Sequence, residues 1–237
     1  DATVLVLNTT SGVSYDFIEM GNTGSYRWES TDGEVIGQVG DAFELTITHE
    51  GRTYTATSAM NRVPVIDDII FSLQGGLLGA DDFYQARLLA RDFEGVGDTY
   101  WIKAFKNGEF LDDAENINVT YDAGESRGAE NDGGNFEADI RTNINPINDD
   151  ETYEFGDTVR VEIHSITEET FFYLSELSVV LDRPGGFAEL FAEPLFNLTT
   201  NISTSGASDE ELVLGFFSVS AVSQKEVVFT EDILEGP

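Results

Sequence analysis

The hydrophobic period of this chain changes once in a clear way, and that change limits the folds open to it. After the turn at Gly156-Asp157, Val159, Val161 and Ile163 alternate with Arg160, Glu162 and His164. That is the period of a strand with one buried face. At Thr167 the spacing becomes helical: Phe171, Leu174, Leu177 and Leu181 recur every three or four residues. Thr167 is a good N-cap, and Glu168 and Glu169 suit the positive end of a helix dipole. Arg183 and Pro184-Gly185-Gly186 supply the stop. An amphipathic helix is expected over 167–182. Everything else reads as strand or loop, so this helix is expected to lie across a β-sheet.

The strand candidates fall into two groups. The first comprises Val4 to Leu7, Tyr15 to Met20, Ser25 to Trp28, Ala42 to Thr48 and Thr53 to Met60. Phe43, Leu45 and Ile47 alternate with Glu44, Thr46 and Thr48, and His49-Glu50-Gly51-Arg52 is a hairpin link. Strands at this spacing without a helix describe a small immunoglobulin-like or transthyretin-like β-sandwich. Its end is placed at residue 63, before Pro64. The second group opens with Ile69, Phe71 and Leu73 and continues with Tyr84 to Ala90 and Thr99 to Phe105. Asn107-Gly108 marks another hairpin. Leu212 to Ser218 and Glu226 to Thr230 close the chain as strands. The expected fold class is all-β: a sandwich at 1–63 and a larger β-rich sandwich at 64–237 carrying the helix. Between Asp112 and Tyr153 the chain is acidic and rich in glycine and asparagine, which marks functional or mobile loops.

Charge narrows the partners. Forty-five acidic residues against 12 basic ones give a net charge of −33. Such a field repels duplex nucleic acid and anionic membrane surfaces, and it favours solubility where salt screens it. The chain has no cysteine, hence no disulfide framework and no thiolate chemistry. No apolar run approaches the roughly 20 residues of a membrane helix. The chain opens at Asp1 already inside a strand-like pattern, as expected for a mature or trimmed form.

Candidate chemistry is sparse. The two histidines, His49 and His164, fall on a hairpin tip and on the polar side of a strand, and no G-x-S-x-G elbow is present. Carboxylates are too abundant for any pair to signal glycoside hydrolysis. No catalytic residue is therefore assigned, and an enzyme is not expected. Transition metals lack their ligands, whereas calcium accepts loop carboxylates. Asp132, Asp149 and Asp150 are the candidate calcium ligands, although neither segment has EF-hand spacing. Phe172 and Tyr173 cannot both share the helix face of Phe171. Together with Phe187 and Phe191 they are the candidate partner-binding residues. Sequons begin at Asn8, Asn118, Asn197 and Asn201.

Several stretches, taken in order, resemble a known family. They are Thr53 to Thr57 (TYTAT), Asp98 to Gly108 (DTYWIKAFKNG), Gly156 to Ile163 (GDTVRVEI), and Asn197 to Asn201 followed by Leu214 to Val222 (LGFFSVSAV). The order is similar to that of the Bacteroidota lipoproteins called domain of unknown function 4249. The resemblance spans nearly the whole chain and rests on order more than on any single motif. It implies an N-terminal β-sandwich, then a larger β-rich domain with a helix. It also implies export to the outer membrane on a lipidated cysteine, with members often encoded near TonB-dependent outer-membrane transporters. The family supplies no catalytic residues to carry over, and this sequence departs from its pattern in one respect: the lipidated cysteine and first strands that usually precede Asp1 are absent.

The function expected from both lines is a non-enzymatic cell-surface protein that binds a transporter or another envelope complex. The alternative is a structural or adhesive subunit in which Val4 to Leu7 borders an open groove. A strand such as Glu226 to Thr230 from a neighbouring chain would fill that groove. A polysaccharide-cleaving enzyme is the third reading.

Overall fold

The computed structural model describes residues 2–31, 33–75, 82–128, 131–147, 152–182, 198–205 and 213–234. Two compact units emerge: unit 1 is Asp1–Arg62 with Asn197–Ala221, and unit 2 is Val63–Phe196 with Val222–Pro237. The expected junction at residue 63 lies beside the observed one. The expectation that everything from 64 onward belongs to the second domain is corrected, because 197–221 returns to unit 1. The chain is all-β, built of antiparallel sheets with one long helix.

Unit 1 contains β1 (Thr3–Asn8), β2 (Val13–Glu19), β3 (Tyr26–Arg27), β4 (Ala42–His49), β5 (Arg52–Ala59) and β12 (Ser203–Ser205). They form one six-stranded sheet in the order β12-β5-β4-β1-β2-β3. The β4–β5 link turns through Glu50 and Gly51 at φ +49° and +77°. That left-handed pair is what a two-residue hairpin twist requires. β1 lies between β2 and β4, paired on both sides. The open groove expected beside Val4 to Leu7 is therefore absent.

Val6, Phe43, Leu45, Ala56 and Met60 form the apolar core of unit 1 with Val219, and Ile36, Phe217 and Ala221 pack against it. The strand expected at Leu212 to Ser218 is not one over its described part, 213–218. Its backbone bonds go to side chains instead. Asn201 accepts from Phe217 N–H at 2.9 Å and donates to Phe217 C=O at 2.8 Å. Ser58 Oγ accepts from Val219 N–H at 3.0 Å. Side chains here satisfy backbone groups that a ladder would otherwise pair.

Unit 2 contains β6 (Ile66–Gln74), β7 (Phe83–Ala90), β8 (Thr99–Lys106), β9 (Glu109–Phe110), β10 (Asn118–Tyr121), β11 (Thr158–Ile166) and β13 (Val222–Val228). It also holds a short helix, α1 (Ala138–Thr142), and the long helix, α2 (Glu168–Leu181). β6 and β7 pair as a hairpin, while the other sheet runs β10-β8-β11-β13 with β9 on β8. The closing strand expected at Glu226 to Thr230 starts earlier and pairs with β11 of its own chain. One core unites the two sheets: Ile69, Phe71, Leu88, Tyr100, Ile102, Val161, Ile163 and Phe229 are all at most 1% exposed. Phe71 and Phe229 stack at 4.0 Å.

α2 begins as expected, with Thr167 Oγ1 accepting from Thr170 N–H at 3.3 Å. Phe171 and Leu174 turn inward onto Tyr121 and Ile166, and the Phe171 and Tyr121 rings meet edge to face at 5.5 Å. The predicted terminator, Arg183 to Gly186, lies outside the described residues. The described part of 112–153 holds regular structure that its composition did not suggest, since β10 and α1 both form within it. α1 has five residues, too few to show a helical period in sequence.

Candidate functional site

Of the predicted calcium ligands, only Asp132 lies among the described residues. Asp132 is exposed, and its carboxylate accepts from Gly95 N–H at 3.2 Å. Asp149 and Asp150 lie outside the described residues. Three other aspartates converge: Asp92, Asp98 and Asp122 place carboxylate oxygens within 4.8 Å of one another. They are 5%, 9% and 2% exposed. Asp92 follows β7, Asp98 precedes β8, and Asp122 follows β10. Sheet topology gathers these strand ends, whereas the sequence keeps them apart as single acids.

The trio's hydrogen bonds are those of a loop staple. Asp92 accepts from the Tyr100 hydroxyl at 2.7 Å and from Gly133 N–H at 3.3 Å. Asp122 Oδ1 accepts from Gly97 N–H at 2.7 Å and Asp98 N–H at 3.0 Å. Burial pushes the Asp92 carboxyl above its ordinary value, against those two bonds, and the nearby Asp98 charge adds to the rise. By donor type these three carboxylates are the described residues that could hold a hard cation such as calcium, which takes oxygen ligands.

A second group of ionisable residues lies on the outer face of the β8–β11 pair. Cross-strand register sets Trp101 opposite His164, Lys103 opposite Glu162 and Phe105 opposite Arg160. Glu162 bonds His164 Nε2 at 2.9 Å and pairs with Arg160. Lys103 Nζ lies 3.7 Å from the Trp101 ring centre, and the Arg160 guanidinium 3.8 Å from that of Phe105. Burial lowers the His164 value, only partly opposed by its Glu162 bond, and burial lowers that of Lys103 as well. Every charge in the ladder has an opposite charge or an aromatic face beside it. None of its residues lines the described clefts of unit 2.

The candidate partner-binding aromatics separate. Phe172 is 45% exposed, while Tyr173 packs against the Phe171–Leu174 cluster. Phe187 and Phe191 lie outside the described residues. Leu181, expected on the apolar stripe with Phe171, Leu174 and Leu177, is instead exposed at the end of α2, and sequence reasoning passed over exposed Val179. The sequon asparagines that are described serve structural ends. Asn8 is buried, caps Thr10 and Ser11, and donates to Asp41 at 2.8 Å. Asn118 is buried too.

A family model described as Domain of unknown function (DUF4249) matches residues 1–226. The chain belongs to the DUF4249 family. The match covers both segments of unit 1 and all but the last residues of unit 2. Comparison with curated proteins and with solved structures gave no match. Among the described residues of this DUF4249 chain, no helix is long and apolar enough to cross a membrane.

Proposed function

We propose that this DUF4249 chain is a non-enzymatic cell-surface protein of the outer membrane, acting by contact with a transporter or another envelope complex. The observation that carries this reading is the outer side of α2. Glu169, Phe172, Glu176 and Val179 recur at spacings of three and four, so they share one side of the helix. Phe172, Val179 and Leu181 are 45%, 58% and 54% exposed. A helix with apolar side chains on both its inner and outer faces is the kind that a partner covers. Asp182 caps its C-terminus, and its last turn has no basic residue. A partner with apolar anchors rimmed by lysine or arginine complements that surface. The balanced ladder on β8–β11 supports the same reading, because its ionisable groups are committed to one another.

Copurification from native envelopes tests the proposal, with wild type compared against a Phe172→Glu/Val179→Glu double variant. The expected result is an envelope protein recovered with wild type and lost with the variant, while circular dichroism stays unchanged. Recovery that is equal for both proteins, or absent with both, overturns it.

A further inference from the structure

A mostly apolar cleft of about 450 Å³ lies in unit 1 and crosses the strands of its sheet, with lining residues from β2, β3, β4 and β5. That volume is in the range of small-molecule sites. Ile47 of β4 and Ile202 line it and also pack against the unit 1 core. The Tyr54 ring of β5 and Leu214 extend the apolar lining, and Leu214 is 72% exposed. An open leucine beside a buried apolar base is surface that a ligand covers.

The polar groups of the cleft sit on its β2–β3 side. Glu19 and Tyr26 are cross-strand partners, and both line it. The Glu19 carboxylate accepts from Gly24 N–H at 3.2 Å, and the Tyr26 hydroxyl accepts from Ala2 N–H at 2.9 Å. These bonds hold a carboxylate and a phenol ring side by side, and the carboxylate keeps further acceptor positions. No lysine or arginine is among the described lining residues. A carboxylate beside an aromatic face complements a cation, by charge-assisted hydrogen bonds and by cation–π attraction. β1 lies between β2 and β4, which sets the Glu19 and Ile47 backbones about 10 Å apart. Their side chains shorten that gap to the reach of an ammonium joined to a ring by a short alkyl link. We infer that this cleft binds a small arylalkylamine, its ammonium on Glu19 and the Tyr26 ring, its aromatic ring on Ile47, Ile202 and Tyr54. The site lies within unit 1, so the inference does not depend on the α2 surface.

Titration followed by NMR tests it on the whole chain, with 2-phenylethylammonium as the probe. Three controls each change one property: 2-phenylethanol has the ring without the charge, 3-phenylpropionate reverses the charge, and n-butylammonium has the charge without the ring. The expected result is a shift of the Ile47 and Ile202 methyl resonances with 2-phenylethylammonium, which binds about tenfold or more tightly than each control. Glu19→Gln keeps an acceptor for Gly24 N–H, so the β2–β3 turn is retained. That variant is expected to weaken 2-phenylethylammonium about tenfold and to leave 2-phenylethanol unchanged. Equal binding of 2-phenylethylammonium and n-butylammonium reduces the effect to the general field of an acidic protein and overturns the inference. So does equal binding of 2-phenylethylammonium and 2-phenylethanol, a pair of unmoved isoleucine methyls, or an affinity untouched by Glu19→Gln.

Discussion

Unit 2 crowds ionisable side chains in two places, and the two are built on opposite principles. On the outer face of β8–β11, Lys103, Arg160, Glu162 and His164 alternate in sign and lean on Trp101 and Phe105. At the strand ends, Asp92, Asp98 and Asp122 gather charges of one sign in a buried site. The ladder holds opposite charges beside one another, whereas the trio relies on backbone N–H groups and a tyrosine hydroxyl. The contrast separates two sources of perturbed titration. Such perturbation often marks active sites, yet ion-pair networks and buried staples produce it as well. Here each cluster has a structural account.

The largest effect that would break this contrast comes from the ladder. Glu162 joins both Arg160 and His164 and lies opposite Lys103. Replacing it with alanine leaves two partly buried cations, Arg160 and Lys103, without their carboxylate. The expected loss is about 2 kcal/mol of unfolding free energy, below the full cost of a buried pair because the partners keep some solvent. Urea unfolding of Glu162→Ala measures it, and a loss near zero would mean that the pairing is incidental.

Asp92→Asn addresses the trio and should act in the other direction. A carboxyl raised above 3.8 in the folded state costs nothing below pH 3.8, and stability falls as pH rises through the folded value. The variant removes that fall. At pH 7 it is expected to gain about 1 kcal/mol relative to its own difference from wild type at pH 3.5. A difference that is the same at both pH values would show that Asp92 is not strained by burial.

His164→Asn gives a smaller change with the opposite pH sense. A histidine held below 6.5 when folded stabilises the fold above pH 6.5, and that stability is lost as pH falls through the folded value. Melting curves between pH 7 and 5 should show a shallower acid-side decline in the variant, by less than about 1 kcal/mol. A steeper decline would contradict the burial that sets the direction.

How much of this could be read from the sequence follows from what each feature depends on. The β4–β5 and β8–β9 hairpins, the β11 alternation and the Thr167 cap are local signals, and residues a few positions apart decide them. The return of 197–221 to unit 1 is decided by Val219 packing against Phe43 and by the bond between Ser58 and Val219, which are far apart in sequence. The Asp92–Asp98–Asp122 trio was hidden for the same reason. The sequence drew attention to acidic runs, where charges are solvated, while the buried acids are isolated ones at strand ends. For the Phe172–Tyr173 pair, helical geometry required the two rings to diverge. Which of them faces outward depends on where Tyr121 and Ile166 lie.

Phe172 should be nearly silent in stability and decisive in contact. Phe172→Ser is expected to change the unfolding free energy by no more than about 0.5 kcal/mol, as for exposed sites generally. The most direct test of contact through α2 is a photo-crosslinking amino acid placed at position 172 and, as a control, at the more exposed position of Ile18 in unit 1. Both proteins are irradiated in native envelopes. The account predicts a discrete adduct with one envelope protein from position 172 and none from position 18. Adducts alike from both positions, or from neither, would contradict it.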